Sequence, residues 1–147
     1  MGTAETVSLL AAGLFFLTGL LTGIWKYLQI MASEKGEAHP YVDICHRTSL
    51  MYSFAAILLA KFAEVSQLDD TIETMAALVV LVYFVYAILT YMLHGLLQDT
   101  DNQLRKPFLL GRYRLPKAVI SFSMWSLVVA EVGGFLVLFY GVVIAVV

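Results

Sequence analysis

The side chains in this sequence best equipped for chemistry are its three histidines, His39, His46 and His94. Two of them fall in the short stretch "EAHPYVDICHRTSLMYS", Glu37 to Ser53, together with the single cysteine, Asp43 and Arg47. A neutral imidazole ligates iron, copper or zinc and binds haem iron axially. On a helix, residues three, four and seven apart share a face. Positions 39, 43, 46, 50, 53 and 57 then line up, which stacks His39, Asp43 and His46 on one stripe. An aspartate one turn from His46 could hold its second ring nitrogen and fix the tautomer. Three readings stand side by side. In one, His46, with His94 opposite, ligates a haem between the second and third helices, a common place for cofactors in bundles. In another, His39, Asp43 and His46 bind a bare transition-metal ion, with His94 arriving at the same depth. In the third, the histidines are unrelated: His39 caps a helix, His46 and His94 are hydrogen-bonded at an interface, and Arg47 reaches out to water. Cys45 reads as a small buried hydrophobe rather than a thiolate ligand.

What positions these residues is a chain built for lipid. Hydrophobic side chains make up 61% of the 147 residues and charged ones 14%, against about half and about a quarter in soluble domains. A bilayer core of ~30 Å needs about 20 apolar residues in a helix. Four blocks meet that length, at about residues 6–31, 43–66, 71–98 and 116–147. The expected fold is an all-α integral membrane four-helix bundle in one domain, residues 1–147, with little outside the bilayer. One cysteine cannot form an internal disulfide. The first block lacks a basic segment before it, since Lys26 is the first basic residue, and is too long for a signal-peptide core.

Charge orients the bundle. The third loop carries Arg105, Lys106, Arg112, Arg114 and Lys117, and the first is flanked by Lys26, Lys35 and Arg47. Four spans put both loops on one side, so the Lys/Arg bias makes them cytoplasmic and leaves both termini outside. The expected location is a bacterial inner membrane. Helix one ends in Trp25, Lys26 and Tyr27, types that anchor at interfaces, and its Gly19 and Gly23 allow close helix approach. Pro40 suits a first helical turn with His39 at the cap. Asp70 followed by Glu73 resembles a capping box for helix three. The connector "LRKPFLLGRYRLPKAV" sets Phe108, Leu109 and Leu110 among basic residues, an amphipathic pattern suited to the membrane interface.

Ionisable groups within the spans are costly and mark function or pairing. Lys61 and Glu131 each lie fifteen residues past a cytoplasmic landmark, His46 and Pro116, roughly 22 Å deep. A Lys61–Glu131 pair between helices two and four is one arrangement, with Glu64 the competing partner. No phosphate-binding glycine loop, serine nucleophile elbow or zinc CxxC occurs, and the basic loop is topogenic, so nucleic acid is not an expected partner.

The run "CHRTSLMYSFAAILLAKFAEVSQLDDTIETMAALVVLVYFVYAILTYMLHG" resembles, without gaps, the matching part of the styrene oxide isomerase family, small four-span membrane enzymes carrying haem b. "LFFLTGLLTGIW" in helix one is similar in character, and the likeness covers about half of the chain. The resemblance implies haem b ligated by His46, with Tyr91 on the family's functional tyrosine. It implies a small lipophilic, epoxide-type substrate and a trimeric homo-oligomer. Two departures stand out. Tyr52 replaces the asparagine that helps hold the family's substrate, and His94 has no counterpart. If His94 reaches the iron, the haem is six-coordinate and suits electron transfer or a structural role. If it does not, a five-coordinate ferric haem is a Lewis acid for an epoxide oxygen, with Tyr91 orienting the substrate. The expectation is therefore a haem b membrane protein with isomerase-like chemistry. The alternatives are a non-catalytic haem or metal protein, an accessory subunit of a larger membrane complex, and a small channel or carrier using Lys61, Glu64 and Glu131.

Overall fold

The computed structural model describes residues 1–147. It is all-helical apart from one two-residue-per-strand hairpin: α1 Thr3–Ala32, α2 Pro40–Val65, α3 Asp70–Leu97, β1 Leu109–Leu110, β2 Tyr113–Arg114 and α4 Lys117–Val146. The shortest of the four helices has 26 residues, or ~39 Å at 1.5 Å per residue. Each is long and apolar enough to cross a membrane.

The helix ends show why the bounds fall where they do. His39 is the N-cap of α2, its Nδ1 accepting the Tyr41 N–H at 3.3 Å, with Pro40 in the first turn. The cap of α3 sits one residue earlier than the expected box: Asp69, not Asp70, accepts the Thr71 N–H at 2.9 Å. That bond holds the exposed Asp69 carboxyl below the usual carboxylate range. Asp70 is engaged elsewhere, accepting the Thr3 N–H at 2.9 Å, so the second turn caps α1 across the bundle. This capping lets α1 begin at Thr3, ahead of the apolar block.

Consecutive helices run antiparallel, and α1 packs most extensively on α2. The two glycines of "TGLLTG" make that contact possible. A Cβ added at Gly19 would stand 2.5 Å from Leu50 Cδ2, and one at Gly23 would stand 2.9 Å from Cε1 of His46. The glycine pair therefore serves packing within the chain. Helix α3 covers both α1 and α2, while α4 rests on α3 and α2 and leaves α1 nearly untouched. The interior is filled by small residues such as Ala56, Ala76 and Ala77, with Phe15 and Phe84 meeting edge to face at 6.3 Å. Large apolar side chains crowd the outer faces instead, among them Leu14, Phe54, Leu89, Phe122 and Trp125.

Candidate functional site

The end of the bundle bearing the connector gathers most of the candidate residues. α3 finishes at Leu97, and Gln98 takes a left-handed conformation, φ 48°, that reverses the chain. The reversal aims Asp99 back at the last helical turn. One Asp99 oxygen lies 2.7 Å from His94 Nδ1, and the other accepts the Gly111 N–H at 2.5 Å from the hairpin turn. Both side chains of the pair are 4% exposed. Burial pushes the Asp99 carboxyl up, yet the hydrogen bonds from His94 and Gly111 outweigh it and hold it below the usual carboxylate range. With Nδ1 committed to the carboxylate, the His94 tautomer that protonates Nδ1 leaves Nε2 as a lone pair.

Tyr41, from the first turn of α2, closes the other side of His94. Its ring lies 5.0 Å from the His94 ring and stacks on Tyr91 at 5.9 Å. Its hydroxyl accepts the Gln103 N–H at 2.5 Å, which pins the start of the connector to the bundle. Outside this wall a partly open cavity of about 310 Å³ runs between α3, α4 and the hairpin. Tyr91 and His94 line it with Leu110, Met124 and Leu127, and the lining is mostly apolar. The Tyr86 hydroxyl and Ser123 Oγ, 2.6 Å apart, tie its two helical walls together.

His46 is arranged differently. Its Nδ1 lies 2.8 Å from the Gly19 carbonyl oxygen of α1, and its half-buried ring lies over Gly23. The stripe of His39, Asp43 and His46 thus faces α1. Asp43, which the spacing offered to His46, is taken instead by Lys26 at 2.6 Å and Arg47 at 2.5 Å. His46 is engaged with α1, whereas His94 is engaged with Asp99 and packs against the Tyr41 ring. His39 is also engaged, capping α2 while its own N–H donates to Gln29 Oε1 at 2.9 Å. No group of three or more His, Cys, Asp and Glu side chains is close enough together to hold a metal ion. His39, His46 and His94 are therefore not assembled as one metal-ligand set.

Tyr52 lies deeper, stacked on Phe84 with ring centroids 3.9 Å apart. Lys61 pairs with Glu64 at 2.9 Å, one turn along its own helix, and not with Glu131. A local partner three residues away needs no second helix to be brought into line. Glu131 is left with one buried carboxylate oxygen that has no hydrogen-bond partner. Sequence reasoning reached His94 and Tyr91 but missed Tyr41 and Asp99. The acidic, polar "QDTD" that begins four residues after His94 was the available signal for Asp99.

No family model, curated protein or solved structure matches this chain.

Proposed function

We propose that the chain is an integral membrane protein that takes a small lipophilic molecule into the cavity between α3, α4 and the hairpin, where His94 and Tyr91 act on it. The observation that carries this reading is the cavity itself: about 310 Å³, mostly apolar, and lined by a histidine whose Nδ1 is held by a buried carboxylate. Ligand sites are typically apolar clefts with a few fixed polar groups. A His–Asp pair is suited to accept and return a proton, with the carboxylate stabilising the imidazolium that forms. Tyr91 supplies a phenol to orient a substrate oxygen, so a proton-moving isomerisation is the matching reaction class. Outward-facing leucine, phenylalanine and tryptophan side chains support membrane residence. The Lys/Arg excess at the connector end favours that end as cytoplasmic. The test is labelling of detergent-purified protein with a photoreactive apolar diazirine. Crosslinks should fall on α3 and α4 peptides containing Tyr91 and Leu127, and labelling spread evenly over all four helices would defeat the reading.

A second reading, haem b held by His46, is supported by one specific contact. The Gly19 carbonyl accepts from Nδ1–H and so fixes the tautomer that leaves Nε2 free to ligate. The donor chemistry at His46 thus fits an axial ligand, and ferric haem bound there would supply a Lewis acid. The trimeric homo-oligomer belongs to this reading. Its check is absorbance of the purified protein: a Soret band that survives in His94→Ala and vanishes in His46→Ala. A colourless protein without iron removes it.

A further inference from the structure

The cavity lining carries few polar side-chain groups, and most of them are already spent. The Tyr86 hydroxyl and Ser123 Oγ bond to each other at 2.6 Å, and the Thr90 hydroxyl donates to the Tyr86 carbonyl at 2.8 Å. Gln103 belongs to the connector, where the Tyr41 hydroxyl holds its backbone. That leaves the Tyr91 hydroxyl and Nε2 of His94 on the helical wall. Neither takes a partner from the chain, and neither is among the buried polar atoms left unpaired, so both open on the cavity that their residues line. Three residues apart on α3, they share a face. The Tyr41 ring backs both, 5.9 Å from the Tyr91 ring and 5.0 Å from that of His94. Behind His94 the Asp99 carboxylate holds Nδ1 at 2.7 Å. The wall thus sets one proton acceptor beside one hydroxyl donor in apolar surroundings, with no uncommitted serine or threonine hydroxyl among them.

Such a pair fits a substrate that gives up a proton at one atom while charge collects on an oxygen nearby. Imidazole can take a proton from carbon where an adjacent carbonyl receives that charge. We infer that the substrate is a lipophilic ketone with a double bond one carbon removed from conjugation, which the site moves into conjugation; this rests on the reading of the cavity as a ligand site. His94 Nε2 takes a proton from the carbon between carbonyl and double bond. The C–H electron pair becomes a C=C bond, and the carbonyl π pair moves to oxygen, where the Tyr91 hydroxyl donates to it. Asp99 stabilises the imidazolium. Return of the proton to the far carbon of the double bond restores the carbonyl, so atoms and electrons balance without a co-reactant.

Phenyl allyl ketone is the probe, on detergent-purified protein. Its conversion to phenyl propenyl ketone is read by absorbance, and its binding by competition with the photoreactive diazirine. Leu127→Trp, which fills the cavity, sets the background of solvent and micelle. Wild-type protein should bind the ketone and convert it above that background. His94→Gln and Tyr91→Phe should each lower the conversion by about 100-fold or more, the scale of a general base and of one oxyanion donor, while still binding the ketone. A ketone that displaces the label without being converted overturns the inference and leaves the cavity standing as a ligand site. So does a label that propylbenzene displaces and the ketone does not. Conversion that persists in either variant overturns it too, and Tyr91→Phe, which removes a single oxygen, decides the matter if His94→Gln does not fold. If neither the ketone nor propylbenzene displaces the label, the cavity reading and this inference fall together.

Discussion

The two helix pairs of this bundle solve the same packing problem in opposite ways. Between α1 and α2, Gly19 and Gly23 let backbone and side chains meet without a gap, and even a histidine ring is used as filling. Between α3 and α4 the close approach is confined to one end, where Gly134 admits Val80 and the Ala76 carbonyl. Toward the connector the two helices line the cavity together with the hairpin, and the Tyr86–Ser123 bond joins them there. The first pair is closely packed at both glycines, and the second is tight at Gly134 and open at the cavity, where a ligand could enter. The two histidines follow suit: His46 is fixed by a backbone carbonyl, and His94 by an ionisable partner.

Substitutions that erase this difference should have graded effects. The largest belongs to Gly19→Val. The new Cβ meets Leu50 Cδ2 at 2.5 Å and the Leu50 backbone nitrogen at 3.2 Å, and the backbone cannot yield. A loss of about 1–3 kcal/mol in unfolding free energy is expected, read from denaturation in mixed micelles. An unchanged midpoint would mean the first pair is not tightly seated. Leu127→Trp next should fill the cavity, abolish diazirine labelling at Tyr91, and leave the unfolding midpoint close to wild type. A destabilisation as large as that of Gly19→Val would show that the second pair is no more open than the first.

Asp99→Asn has a smaller effect with a distinctive pH signature. The folded-state carboxyl lies below its ordinary value because His94 and the Gly111 N–H bind its charged form despite its burial. Its contribution to stability is therefore fully present above the ordinary value, about pH 4, and fades as pH falls through the lower folded value. The wild-type protein should lose stability on that acid side, and the asparagine variant should lose correspondingly less. The smallest effect is expected for Lys61→Met. Its pair with Glu64 is 61% and 51% exposed, and such pairs contribute about 0.5 kcal/mol or less, before any gain from the apolar side chain in lipid.

The four helices were legible because unbroken apolar runs leave few alternatives, and Pro40 with His39 marked one start correctly. The cap of α3 was misplaced by one residue because Asp70 serves Thr3, a contact 67 positions away in sequence that no local motif reveals. Helical periodicity put His39, Asp43 and His46 on one face but could not say that the face meets α1. The pairing of His94 with Asp99 was hidden because a left-handed residue, Gln98, turns a nominal loop aspartate back into the bundle. Lys61 chose its own helix over Glu131, which depth alone could not decide. Periodicity defines faces, and neighbours are chosen by glycines, caps and reversals.

The bond from the Thr3 N–H to Asp70 carries an implication for biogenesis. Synthesis proceeds from the N-terminus, so α1 emerges first with an open end, and its acceptor is made only when the turn before α3 appears. Until then the Thr3 N–H has only water as an acceptor. The cap of the first helix is thus supplied by the turn that opens the third, and this bond forms only after the α2–α3 turn has been made.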